Sequence, residues 1–141
     1  MTLLASLVAA LVVTAPFPNN GTIPRQYTCS GGGSAPALRW SINGKPKYAT
    51  VALEIVDVDA PGGIFVHGLQ VGSIPGRNST GTIGYIGPCP PRGDRPHRYV
   101  FRLYLLRSMP ALRRGFTRAQ FDAAIRGLVV AQGQVVGRYS R

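Results

Sequence analysis

Glycine and proline interrupt this chain so often that long helices are excluded from most of it. Eighteen glycines and twelve prolines are spread over 141 residues, and each favours a turn or withdraws a backbone donor. Between the breaks lie apolar runs of strand length, rich in β-branched and aromatic residues, which predict a mainly β protein. The length suits one domain around one core, so residues 1–141 are read as a single domain.

Tyr48 to Asp57 (YATVALEIVD) is apolar apart from Glu54 and its acidic end, as expected of a buried central strand. Ile64 to Val71 reads as the next strand, with His67 in its middle, and Arg98 to Arg107 as a strand buried on most of both faces. Asn19-Asn20-Gly21, Ser30 to Ser34 and Asn43-Gly44 mark turns, and Ser73 to Gly87 is mostly loop. The single Trp40 is most simply a core residue. One helix is expected near the C-terminus: Thr117 and Gln120 fit a capping box, Phe121, Ala124 and Ile125 form an apolar stripe, and Gly127 closes it. Leu128 to Tyr139 returns to β character.

Leu3 to Val13 is apolar over eleven residues, too short to span a bilayer. It has the length of a signal-peptide core, and Thr14-Ala15 supplies small residues, but no Lys or Arg precedes it. The segment is therefore read as a strand or helix packing on the domain, or on a second copy in a homodimer. A cytoplasmic protein is the expectation, and export would follow if Met1 to Ala15 were a signal peptide.

The formal net charge of +11 comes almost entirely from fourteen arginines, against two lysines and five acidic residues. Planar guanidinium forks suit phosphate and carboxylate partners. Only Arg113-Arg114 and the group Arg92, Arg95, Arg98 are dense, and no nucleic-acid-binding motif accompanies them, so nucleic acid is not the expected partner. Cys29 and Cys89 belong to no Cys-x-x-Cys motif. Both lie in turn-rich segments, so a disulfide between the first loop and the Pro-rich loop competes with two free thiols, and geometry decides.

Both histidines and three of the five carboxylates fall between Asp57 and His97. If the strands carrying Asp57, His67 and His97 are neighbours, the carboxylate can hold an imidazole, fix its tautomer and raise its pKa, leaving a ring nitrogen to donate to an anion. Two histidines and a carboxylate could equally ligate a metal, or all three could be ordinary strand and turn residues. The residues alone leave these alternatives open, with the last as default. No nucleophile elbow, zincin motif, Walker loop or dinucleotide fingerprint is present, so no enzyme, cofactor or metal is predicted.

Several ordered motifs resemble the phosphatidylethanolamine-binding protein family, also called Raf-kinase-inhibitor-like proteins, in its prokaryotic branch. They are Tyr27-Thr28-Cys29-Ser30-Gly31 with Leu38-Arg39-Trp40, Asp57-Val58-Asp59-Ala60-Pro61, Tyr85 to Pro91 with His97-Arg98-Tyr99, and the C-terminal Val136 to Arg141. The resemblance implies a Greek-key β-sandwich with a small pocket for phosphate-like anions. It points to Asp57, His67, Pro91, His97 and Tyr99 as ligand-binding residues, with Asp59 and Pro61 shaping the turn. It further implies a binding protein for a phospholipid head group or phosphorylated group, or alternatively an inhibitor of a protease or kinase acting through a surface loop. The chain departs from the family at Val58, Phe65 and Gly68, which alters the turn and the pocket walls.

Overall fold

A computed structural model describes residues 9–141. Its eight strands are β1 (Ala9–Thr14), β2 (Gly21–Thr22), β3 (Arg39–Ile42), β4 (Thr50–Asp57), β5 (Phe65–Val71), β6 (Ile74–Pro75), β7 (His97–Leu106) and β8 (Val129–Tyr139), with one α-helix, α1 (Arg118–Ile125), before β8. The strand order is β3-β1-β8-β7-β4-β5-β6, and β2 adds to β8. β4, β5 and β6 are successive antiparallel neighbours, and β7 returns beside β4. The spatial order β7-β4-β5-β6 is that of a Greek key. Pro75 sits in the edge strand β6, where a missing N–H does least harm.

The expected strands form, with β4 interior between β7 and β5. The apolar N-terminal segment contributes β1 from Ala9 onward, and the rest of it lies outside the described residues. β1 pairs parallel to β8 at Ala9 and Ala10, then antiparallel to β3 from Leu11 to Thr14. The β1–β3 ribbon thereby becomes a small second layer over the main sheet.

Alternation along β4 and β7 sorts two apolar clusters. Ile55, Tyr99, Phe101, Leu103 and Leu105 meet Leu11, Val13, Phe17 and Ile23 under that ribbon. Ala52, Val56 and Val100 meet Phe116, Phe121 and Ile125 at the helix. The capping box forms as expected: the Gln120 amide donates to Thr117 Oγ1 at 3.2 Å and the Thr117 amide to Gln120 Oε1 at 3.0 Å. Gly127, at φ 79°, turns the chain out of the helix.

Glu54 is 1% exposed and lies opposite Arg102 in the β4–β7 ladder. An isolated carboxylate there would be costly. Arg102 Nη1 and Arg118 Nε each donate to it at 3.0 Å, which ties α1 to the sheet. The sequence shows Glu54 as the interior charge of its strand; its two partners come from distant segments.

Gly133 in β8 lies hard against β1, because a Cβ there would collide with the backbone carbonyl of Leu11. Gly133→Ala is expected to displace β1 and lower stability by about 1–3 kcal/mol in urea unfolding. An unchanged midpoint would show that β1 does not hold this close approach.

Candidate functional site

The site grows from the ends of β4, β5 and β7. Asp57 ends β4 directly opposite Tyr99 of β7, and His97, two residues before Tyr99, emerges on the same face. β5 would not present His67 there by simple alternation, because Leu69 and Val71 belong to the helix-side cluster and Phe65 and His67 share their parity. The register shifts between Ile55 and Val56, which pair with Gly68 and Val66, so His67 is the extra residue of a β-bulge. The bulge reverses the alternation and turns Phe65 and His67 towards Asp57 and Tyr99.

These residues surround a cavity of about 140 Å³. Asp57, His67, Pro91, His97 and Tyr99 all line it, as does Pro61; Asp59 does not. Asp59 instead accepts from the Arg98 backbone amide at 2.8 Å, from its Nε at 2.9 Å and from its Nη2 at 2.8 Å. This fork lowers the Asp59 pKa to about 2 despite opposing desolvation. It also pins the acidic turn to the start of β7, while Asp57 Oδ1 accepts the Asp59 amide at 2.8 Å. Ala60, Phe65, Ile86, Gly87, Cys89 and Pro90 complete the lining. These residues lie within or beside the segments that resemble the family's motifs, but their small and apolar side chains carry no chemical signature of their own.

The two imidazoles are held differently. His97 Nδ1 donates to Asp57 Oδ2 at 2.7 Å and Nε2 to Asp94 Oδ2 at 3.0 Å. Carboxylates accept at both ring nitrogens, so this arrangement is that of an imidazolium. Burial pulls its pKa down, but the hydrogen bonds and charges of Asp57 and Asp94 prevail and raise it. His67 Nδ1–H donates to the Ile86 carbonyl at 2.8 Å. Burial lowers its pKa against that bond and the Asp57 charge. Its Nε2, unprotonated in the neutral ring, makes no hydrogen bond among the described residues, the ring bonding through Nδ1 alone.

The pKa rise expected of the imidazole that the carboxylate holds falls on His97, whereas His67, which Asp57 does not hold, is lowered by desolvation. Nor is a ring nitrogen of His97 left over, because Asp94 takes the second one. With both its nitrogens committed, His97 is a poor metal ligand, and no three His, Cys, Asp or Glu residues gather at metal distance among the described residues.

The Tyr99 ring packs against both imidazoles, with centroids 5.2 Å from His67 and 6.4 Å from His97. Its hydroxyl is the one buried side-chain polar atom without a hydrogen-bond partner among the described residues. Burial first, then the Asp57 charge and the closeness of the Asp57 carboxylate to the hydroxyl, which falls outside hydrogen-bond geometry, push its pKa well above the ordinary phenol range, so it remains an O–H donor.

One wall of the cavity is anchored to the first loop. Cys29 and Cys89 form a disulfide with a Cα–Cα distance of 5.3 Å. The Cys29 amide donates to the Pro88 carbonyl at 3.0 Å, and the Tyr85 hydroxyl to the Tyr27 carbonyl at 2.7 Å. The bridge removes Cys89 as a nucleophile. Spanning a separation of 60 residues, it contributes about 4 kcal/mol in the chain-entropy account. A Cys29→Ser/Cys89→Ser protein is expected to melt several degrees lower than the oxidised parent; equal melting temperatures would contradict a stabilising bridge.

The histidines make opposite contributions to stability as pH changes. That of His97 is complete below its unfolded value of 6.5 and is lost as pH rises through its raised folded value. That of His67 is present above 6.5 and is lost as pH falls through its depressed folded value. Ring-proton NMR is expected to show midpoints displaced in opposite directions from 6.5. Coincident midpoints would overturn this description of the site.

The profile of the phosphatidylethanolamine-binding protein family matches residues 13–140. A UPF0098 protein of Pyrococcus abyssi is 37% identical, over 92% of this chain and 84% of its own. One from Methanothermobacter thermautotrophicus is 36% identical, over 89% and 95%. Among solved structures, a phosphatidylethanolamine-binding protein homologue of Chlamydia trachomatis superposes with a TM-score of 0.85 at 28% identity, covering 94% of this chain and 99% of that one. Escherichia coli YbcL, described as a member of the mammalian family, superposes with a TM-score of 0.83 at 22% identity, covering 93% and 98%, and supports the fold alone. With this match across nearly all its length, the chain belongs to the phosphatidylethanolamine-binding protein family.

Proposed function

We propose that this protein is a non-enzymatic binder of a small phosphate-bearing ligand, a phospholipid head group or a phosphorylated group, in the cavity bounded by Asp57, His67, Pro91, His97 and Tyr99. Family membership supports a binding protein. The observation that carries the finer reading is the buried Tyr99 hydroxyl without a hydrogen-bond partner at a cavity lined also by His67, whose Nε2 makes no hydrogen bond among the described residues. One group is a fixed donor and the other an acceptor. A phosphomonoester monoanion matches both, with an oxygen accepting from Tyr99 and a P–OH donating to His67, whereas a phosphodiester head group has no P–OH and matches Tyr99 alone.

Asp94 places an internal oxyanion on the outer nitrogen of His97. Its side chain is 40% exposed, so it can swing into water and yield that position to a ligand oxygen. The exchange conserves a charge-assisted hydrogen bond. The chain's net charge of +11 favours approach of an anion.

The test is a titration of the two histidine ring protons with inorganic phosphate and with phosphoethanolamine. Both rings are expected to shift with saturation. With phosphoethanolamine, affinity should fall as pH rises from about 6 to about 8, because a phosphomonoester's second pKa is near 6 and its P–OH is then lost. Tyr99→Phe should weaken binding about tenfold, the loss of roughly one such hydrogen bond. If neither ring responds to either ligand, the histidines are scaffold and the reading fails.

A further inference from the structure

From the geometry we infer a second oxyanion site outside the cavity, an arginine cleft that receives a phosphate monoester group between Arg25, Arg92 and Arg141. The cleft has a volume of about 550 Å³ and lies between the first loop and the end of β8. Its lining includes those three arginines, Ser30 and Tyr139, and none of the five acidic side chains.

Two of the guanidinium groups are already oriented. Arg25 Nε donates to the Ser30 carbonyl at 2.6 Å, and Arg141 Nε to the Pro90 carbonyl at 2.7 Å. Each bond spends the Nε–H on the protein and leaves the two terminal amino groups without partners among the described residues. Arg92 makes no side-chain hydrogen bond or ion pair among the described residues. Forks held in this way lose little freedom on binding, and their planar donors match phosphate oxygens in pairs. Tyr139 of the same lining has its phenol pKa lowered, first by the Ser30 and Thr28 side chains and, to a lesser degree, by the charges of Arg25 and Arg141.

The cleft is distinct from the cavity but close to it. Cys89, Pro90 and Pro91 line the cavity, while Cys29 and Arg92 line the cleft, so one disulfide and one loop separate the two. Free phosphate esters and the head group of phosphatidic acid present the same chemistry here.

Inorganic phosphate is the first probe, followed by amide NMR. Saturating shifts are expected at Arg25, Ser30 and Tyr139, and Arg92→Gln should weaken them about tenfold. Arg95→Gln removes the same charge from an exposed position of the same loop outside the cleft and should leave them unchanged. Phosphatidylcholine vesicles with and without phosphatidic acid form the second arm. An Arg92-dependent response to free phosphate identifies a soluble ester as the source; one confined to phosphatidic acid vesicles identifies the lipid. Equal losses in Arg92→Gln and Arg95→Gln would reduce the effect to net charge and overturn the inference, as would no response to either probe. His67→Gln should leave the cleft response in place, so cleft and cavity stand or fall separately.

Discussion

The antiparallel ladder between β4 and β7 is the constraint on which the rest of the molecule depends. It runs from Thr50 opposite Leu106 to Asp57 opposite Tyr99 without a register shift. Side chains alternate across a sheet, so this one register sends Glu54 and Arg102 to the helix face and Asp57 and Tyr99 to the other. A slip by one residue would expose the apolar set and bury the wrong polar groups. The buried Glu54 cluster and the Asp57–His97 pair therefore both depend on one alignment and both reinforce it.

The site is built by local departures from that regularity. The bulge at His67 reverses the alternation of β5, and the acidic turn after β4 is closed by the Asp59–Arg98 fork. The Pro-rich wall is fastened to the first loop through Cys29–Cys89. Each device holds a short loop segment in place, and the cavity walls inherit that rigidity. The electrostatic outcome is asymmetric: His97 is held charged between two carboxylates, while His67 is kept neutral by burial and its bond to a carbonyl. Tyr99, which packs against both rings, keeps a buried hydroxyl near Asp57 that has no partner in hydrogen-bond geometry among the described residues.

Much of the fold was legible in the chain. Apolar runs bounded by glycine and proline marked β4, β5, β7 and β8 to within a residue or two, and Thr117 with Gln120 marked the start of α1. Strand pairing was less legible, because any two apolar runs are chemically compatible; the order of the Greek key came through family resemblance. The five residues expected at the pocket do meet at one cavity. The partnership of His97 with Asp94 was missed, although Asp94 stands three positions before it, because such a contact depends on the turn between them.

What the sequence determined by itself was the set of parts: strands from patterning, turns from glycine and proline, one capped helix, an excess of guanidinium charge and a pair of histidines. Only the tertiary structure decided how those parts act. A pKa depends on burial and neighbours rather than residue type, so identical imidazoles diverge. The face a side chain takes depends on a bulge set by cross-strand register, so His67 joins Asp57. Whether two cysteines pair depends on a Cα–Cα distance of 5.3 Å reached across 60 residues, which no local pattern encodes.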